Sequence, residues 1–77
     1  MKVLIIEDDS TINDLIKINL ELCGYEVIQA LDGIKGFALA KQELPNAIVL
    51  DVMMPEVDGF TVAQRIRQNE ETKNIPI

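Results

Sequence analysis

Thirteen of the 77 residues are acidic, and three of them, Glu7, Asp8 and Asp51, stand where side-chain chemistry is most expected. Val3-Leu4-Ile5-Ile6 runs directly into Glu7-Asp8-Asp9, and Ala47-Ile48-Val49-Leu50 runs directly into Asp51. A short run that is apolar at every position describes a strand buried on both faces. In open parallel sheets, ligands bind just beyond the carboxyl ends of such strands. If the two strands are neighbours, three carboxylates converge there. No Lys or Arg lies between Lys2 and Lys17 or between Lys41 and Arg65, so the local sequence offers no compensating charge. Two carboxylates about 4 Å apart repel by about 4 kcal/mol at an effective dielectric of about 20. Protonation, a distant base brought in by folding, or a divalent cation would relieve that repulsion. Hard oxygen ligands without His or a second Cys favour Mg2+, Mn2+ or Ca2+ over zinc. Carboxylates that leave room for waters and a phosphate oxygen suit Mg2+ best.

The elements that must position these acids alternate along the chain as strand, helix, strand, helix, strand, helix. Asp9 or Ser10 can cap a first helix running through Cys23, and Gly24 suits a left-handed exit. Ile12, Leu15, Ile16, Leu20 and Cys23 form its expected apolar stripe, which Asn19 interrupts. A second strand is predicted over Tyr25 to Ala30, and Asp32-Gly33 turns into a helix from Ile34 to Leu44. Gly36 within that helix is expected to cost about 1 kcal/mol relative to Ala. Pro45-Asn46 stops it and launches the third strand. A loop bracketed by Met54-Pro55 and Asp58-Gly59 precedes a helix over 59–68, with Phe60, Ala63 and Ile66 predicted to face inward. Asp58 reads as a cap and Glu56 as a solvent-facing residue. The polar stretch 69–74 reads as mobile, and Ile75-Pro76-Ile77 as the opening of a fourth strand. Alternating strands and helices argue for parallel pairing through right-handed crossovers.

Composition narrows the function. The chain fits one small domain, and a core of this size rarely supplies more than about 3–5 kcal/mol. Its single cysteine, Cys23, cannot form an intrachain disulfide and reads as buried core filler. A net charge of −6 argues against nucleic acid or an anionic membrane as partner. Four apolar residues before the first acids are too few for a signal peptide or a membrane span, so a cytoplasmic location is expected.

VLIIEDD, Cys23-Gly24-Tyr25, EVIQALDG and above all DVMMPEVDGF from Asp51 to Phe60 closely resemble the receiver domain of two-component response regulators. The resemblance covers the whole chain, so residues 1–77 are read as the N-terminal part of one receiver domain, cut after the third βα unit. It implies an α/β, flavodoxin-like (CheY-like) parallel sheet of order 2-1-3 with a stub of strand 4. It implies Asp51 as phosphoacceptor, Asp8 as a direct magnesium ligand, Glu7 as its water-bridging companion and the Met53 backbone carbonyl as a third protein ligand. Met54 would pack inward and Pro55 would shape the turn. The implied donor is a phosphohistidine on a sensor histidine kinase or phosphotransfer protein. The product is an acyl phosphate that hydrolyses back, which makes the domain a phosphoacceptor and not a dedicated enzyme.

Family features of the fourth and fifth strands, a Ser or Thr, an aromatic switch residue and a Lys that pairs with the acceptor, have no counterpart in these 77 residues. The expectation is a retained magnesium site with impaired phosphoryl acceptance. An apolar strand edge near residues 47–50 and 75–77 further suggests a homo-oligomer. The alternative is a receiver remnant that binds partners without phosphorylation, through first-helix residues such as Asn13 or Lys17. A metal-dependent nuclease or primase-like fold and a haloacid-dehalogenase-type phosphatase both want a second acid near Asp51, where Val52 and Met53 stand.

Overall fold

The computed structural model describes residues 1–51 and 59–77. Strands β1 (Lys2–Ile6), β2 (Glu26–Ala30) and β3 (Ala47–Leu50) alternate with helices α1 (Ser10–Leu22), α2 (Gly33–Glu43) and α3 (Gly59–Gln68). The strands are parallel, in the order β2-β1-β3. This is the flavodoxin-like arrangement expected from sequence. In register, Val3 stands opposite Val27 and Ala47, and Ile6 opposite Ala30 and Leu50. All three carboxyl ends therefore finish level. The ladder closes there with Glu7 N–H donating to the Ala30 carbonyl (3.1 Å) and Asp51 N–H donating to that of Ile6 (3.0 Å).

The central strand is buried along Val3-Leu4-Ile5-Ile6, as an uninterrupted apolar run demands. Leu4, Ile6, Ala30 and Ile48 form one core with Ala40, Val62, Ile66 and Ile75. Strand β3 departs from expectation. Ile48 is buried, but Val49 is 37% exposed, because α1 packs over β1 and β2 instead. On the outer edge of β3, Ile48 N–H donates to the Pro76 carbonyl at 2.8 Å, but residues 75–77, where a fourth strand was expected to open, form no strand.

Helix α2 sets small residues, Gly33, Gly36 and Ala40, against the sheet. A Cβ built on Gly36 would stand 2.6–2.8 Å from three side-chain carbons of Ile6. The glycine is thus the condition for close approach of α2 to β1. Leu44 ends the helix with φ 45°, and its N–H donates to the Ala40 carbonyl.

Several expectations need correction. The inward side of α1 runs through Asn13, Ile16, Lys17 and Leu20, while Ile12 and Leu15 are exposed. A polar requirement fixes this rotation: Asn13 is wholly buried and donates to two sheet-end carbonyls. It therefore offers no surface to a partner, contrary to its place in the interaction-module alternative. Asn19 falls outside the true stripe and donates to the Leu15 carbonyl. Cys23 is exposed, because it sits in the terminating turn and not on the helix face. Gly24 takes the left-handed exit, at φ 90°.

On α3 the inward residues are Gly59, Val62 and Ile66, and Phe60, one step of about 100° further round, is 74% exposed. Residues 69–74 form hydrogen-bonded turns. Thr72 is buried with its hydroxyl donating to the Ile66 carbonyl at 2.7 Å, and Arg67 donates to the carbonyls of Lys73 and Ile75.

Candidate metal centre

The level strand ends bring Glu7, Asp8 and Asp51 to one place. Each offers a carboxylate oxygen, and the three atoms lie within 4.8 Å of one another. Glu7 and Asp51 are half-buried and Asp8 is exposed. Parallel pairing of β1 with β3 makes this meeting possible, since these acids are 43 or 44 positions apart in the chain. Asp9 has a different role. Its Oδ1 accepts from the N–H groups of Thr11 (2.9 Å) and Ile12 (3.1 Å), so it caps α1. Asp32 caps α2 in the same way through Lys35 N–H. The Asp9 N–H donates to Glu7 Oε2 at 3.1 Å, which steadies the β1–α1 turn.

Among the described residues, the bases seen in ion pairs lie away from this site. Lys2, at the far end of β1, pairs with Glu43 at 3.3 Å and more loosely with Glu26, and Lys73 pairs with Glu70. The donor set is all oxygen. Its chemistry and spacing would suit one divalent cation of the Mg2+, Mn2+ or Ca2+ type, with Glu7, Asp8 and Asp51 as the residues to hold it. The expected Met53 carbonyl lies outside the described residues, as do Met54, Pro55, Glu56 and the Asp58 cap.

Burial pushes the Glu7 carboxyl above the usual carboxylate range. Hydrogen bonds with the Asp8 and Asp51 carboxyls and the Asp51 charge push the same way, against the Asp9 N–H. A raised folded-state pKa means that the folded chain holds more proton at Glu7 than the unfolded chain does. Its contribution to stability is therefore present in acid and is lost as pH rises through the folded value. Without metal, Glu7→Gln should gain stability relative to the parent as pH increases across that window, measured by urea midpoints. Since a metal must displace that proton, Mg2+ affinity should rise over the same window.

Two residues named from sequence have a different role in the structure. One is Asn13, whose buried amide reaches the Glu7 carbonyl. Its spacing with Ile16, Lys17 and Leu20 was the available signal, obscured by the stronger apolar pattern beside it. The other is Gly36, which looked like a weakness because its neighbour Ile6 is 30 positions away.

Among the described residues, no helix is long and apolar enough to cross a membrane. The family model of the response regulator receiver domain matches residues 3–77. A DNA-binding dual master transcriptional regulator, RpaA of Synechocystis, is 59% identical over 76 residues, covering 99% of this chain and 32% of that protein. The N-terminal domain of a response regulator receiver protein from Methanoculleus marisnigri superposes with a TM-score of 0.94 at 31% identity, over 97% of this chain and 61% of that one. The receiver domain of a sensor histidine kinase from Pseudomonas aeruginosa, solved with a magnesium ion coordinated in its active-site cleft, has a TM-score of 0.93 at 30% identity. That match covers 99% of this chain and 62% of that domain. The chain thus spans about a third of the RpaA relative and about three fifths of these two receiver structures.

Proposed function

This chain belongs to the response regulator receiver domain family, and on that premise we propose that it accepts a phosphoryl group on Asp51 with Mg2+ held by Glu7, Asp8 and Asp51. The observation that carries the reading is the meeting of these three carboxylates at the carboxyl ends of adjacent parallel strands. The proposed donor is a phosphohistidine on a sensor kinase or phosphotransfer protein. An Asp51 carboxylate oxygen attacks phosphorus, the new P–O bond forms as the P–N bond breaks, and the imidazole nitrogen keeps the electron pair. Water later cleaves the resulting acyl phosphate, returning the carboxylate and inorganic phosphate. The domain is thus an acceptor that resets, not a turnover enzyme. When bound, the ion supplies positive charge that offsets the phosphoryl oxygens and holds them in line.

Glu7 and Asp8 would hold the ion from the end of β1, and Asp51 offers its carboxylate from the end of β3. Burial of Ile6 and the Asp51–Ile6 backbone bond keep the two strand ends at a fixed spacing. Incubation with Mg2+ and acetyl phosphate, followed by intact-mass measurement, tests the reading. Tested as 77 residues, without the fifth-strand Lys of the family, the chain should add one phosphoryl group to only part of the population. The addition should need Mg2+ and vanish in Asp51→Asn. No addition at all, or equal addition in that variant, overturns the assignment.

A further inference from the structure

Asn13 is wholly buried, yet it lies one helical turn from an exposed acidic loop. Its Nδ2 donates to the Glu7 carbonyl and to the Ala30 carbonyl, each at 3.0 Å. Its Oδ1 accepts from Gln29 Nε2 at 2.9 Å, and Gln29 also reaches Asp14 Oδ1 at 2.8 Å. The Asn13 backbone N–H donates to the Asp9 carbonyl at 2.9 Å. Both amide hydrogens and the amide oxygen are therefore used, and only Asn or a near equivalent fits. An apolar residue offers neither donor, and Asp would set an acceptor against two carbonyls.

The placement of these bonds is specific. Glu7 is the residue at which β1 stops and the acidic turn begins, and its N–H is held by the same Ala30 carbonyl that Asn13 holds. The amide thus ties the turn to the end of β2 from one side while the Asp51–Ile6 bond ties β1 to β3 from the other. Loss of the Nδ2 bonds would free the Glu7 peptide and so the two carboxylates on that turn.

We propose that Asn13 is a positioning residue for the acidic centre, setting where the Glu7 and Asp8 carboxylates stand relative to Asp51. The inference rests on the cation reading above. Removing a hydrogen-bond partner that orients a metal ligand typically costs about 10- to 100-fold in metal affinity. The lower figure is expected here, because Asn13 acts through the backbone.

The test is a Mg2+ titration by calorimetry on the parent, Asn13→Ala and Gln29→Ala, alongside urea denaturation of each. Asn13→Ala should weaken Mg2+ binding by about 10-fold. Gln29→Ala, which leaves both Nδ2 bonds in place, should lose stability while keeping the parent affinity. A folded Asn13→Ala with unchanged affinity overturns the proposal. A parent that binds no Mg2+ instead overturns the cation reading itself. If Asn13→Ala does not fold, hydrogen exchange of the Asn13 side-chain amide in the parent decides. Binding and amide bonding must favour each other reciprocally, so Mg2+ should slow that exchange, and an unchanged rate overturns the proposal.

Discussion

Saturating Mg2+ should raise the melting temperature of this chain by on the order of 10 °C. At about 100 times its dissociation constant, a ligand that binds only the folded state adds about 2.7 kcal/mol. In a domain of this size each kcal/mol moves the midpoint by about 4–8 °C. The effect is large because the reserve is small, about 3–5 kcal/mol for a core without disulfide or other staple. Asp8→Asn and Asp51→Asn should each change the response in two ways. Without metal they should melt slightly higher than the parent, since each removes one charge from a cluster within 4.8 Å. With metal they should gain little. Water screens these partly exposed groups, so the metal-free gain is held to about 1 kcal/mol or less. Calorimetry with and without 10-fold steps of Mg2+ separates the two signs. A parent midpoint that does not move with Mg2+ would sink the site.

How much of this was legible depends on how far apart the cooperating residues lie. The acidic centre could be read because each acid directly follows its own apolar run, and strand ends are local features. Strand alternation and the cap at Asp9 were visible for the same reason. The strand order came from family resemblance.

Helix orientation was less accessible. On α1 the apolar residues cover more than one face, with Ile12, Leu15, Ile18 and Leu22 all exposed. Apolar spacing alone therefore could not select the inward side, and a buried amide did. On α3 the larger Phe60 was expected to face inward, yet the helix turns on Gly59, Val62 and Ile66. The stretch 69–74 looked mobile because it is polar. Its order comes from Thr72 and Arg67 bonding to carbonyls, which composition does not reveal. The polar contacts that decide these local shapes join residues whose types are common in loops.

The contact between Ile6 and Gly36 carries the other large effect, and it links the core to the acidic centre through one peptide bond. Ile6 has no exposed surface and immediately precedes Glu7. Truncation to Ala at a buried Ile costs about 2–5 kcal/mol, comparable to the whole stability available, so Ile6→Ala should be largely unfolded at room temperature. Gly36→Ala in an open helix would instead gain about 1 kcal/mol from propensity. Here the new methyl would meet Ile6 side-chain atoms at 2.6–2.8 Å, and overpacking of that kind costs about 1–3 kcal/mol. The net sign should therefore be destabilising, against the helix-propensity trend. Combining Gly36→Ala with Ile6→Val tests one part of the cause, because Val lacks the Cδ1 at 2.6 Å while keeping the two Cγ carbons at 2.7 and 2.8 Å. The pair should be more stable than the sum of the single changes predicts, by about 0.5 kcal/mol or more. Urea denaturation of the parent, both single variants and the double variant yields that coupling directly. Strict additivity would show that the Cδ1 contact is not what makes Gly36→Ala costly.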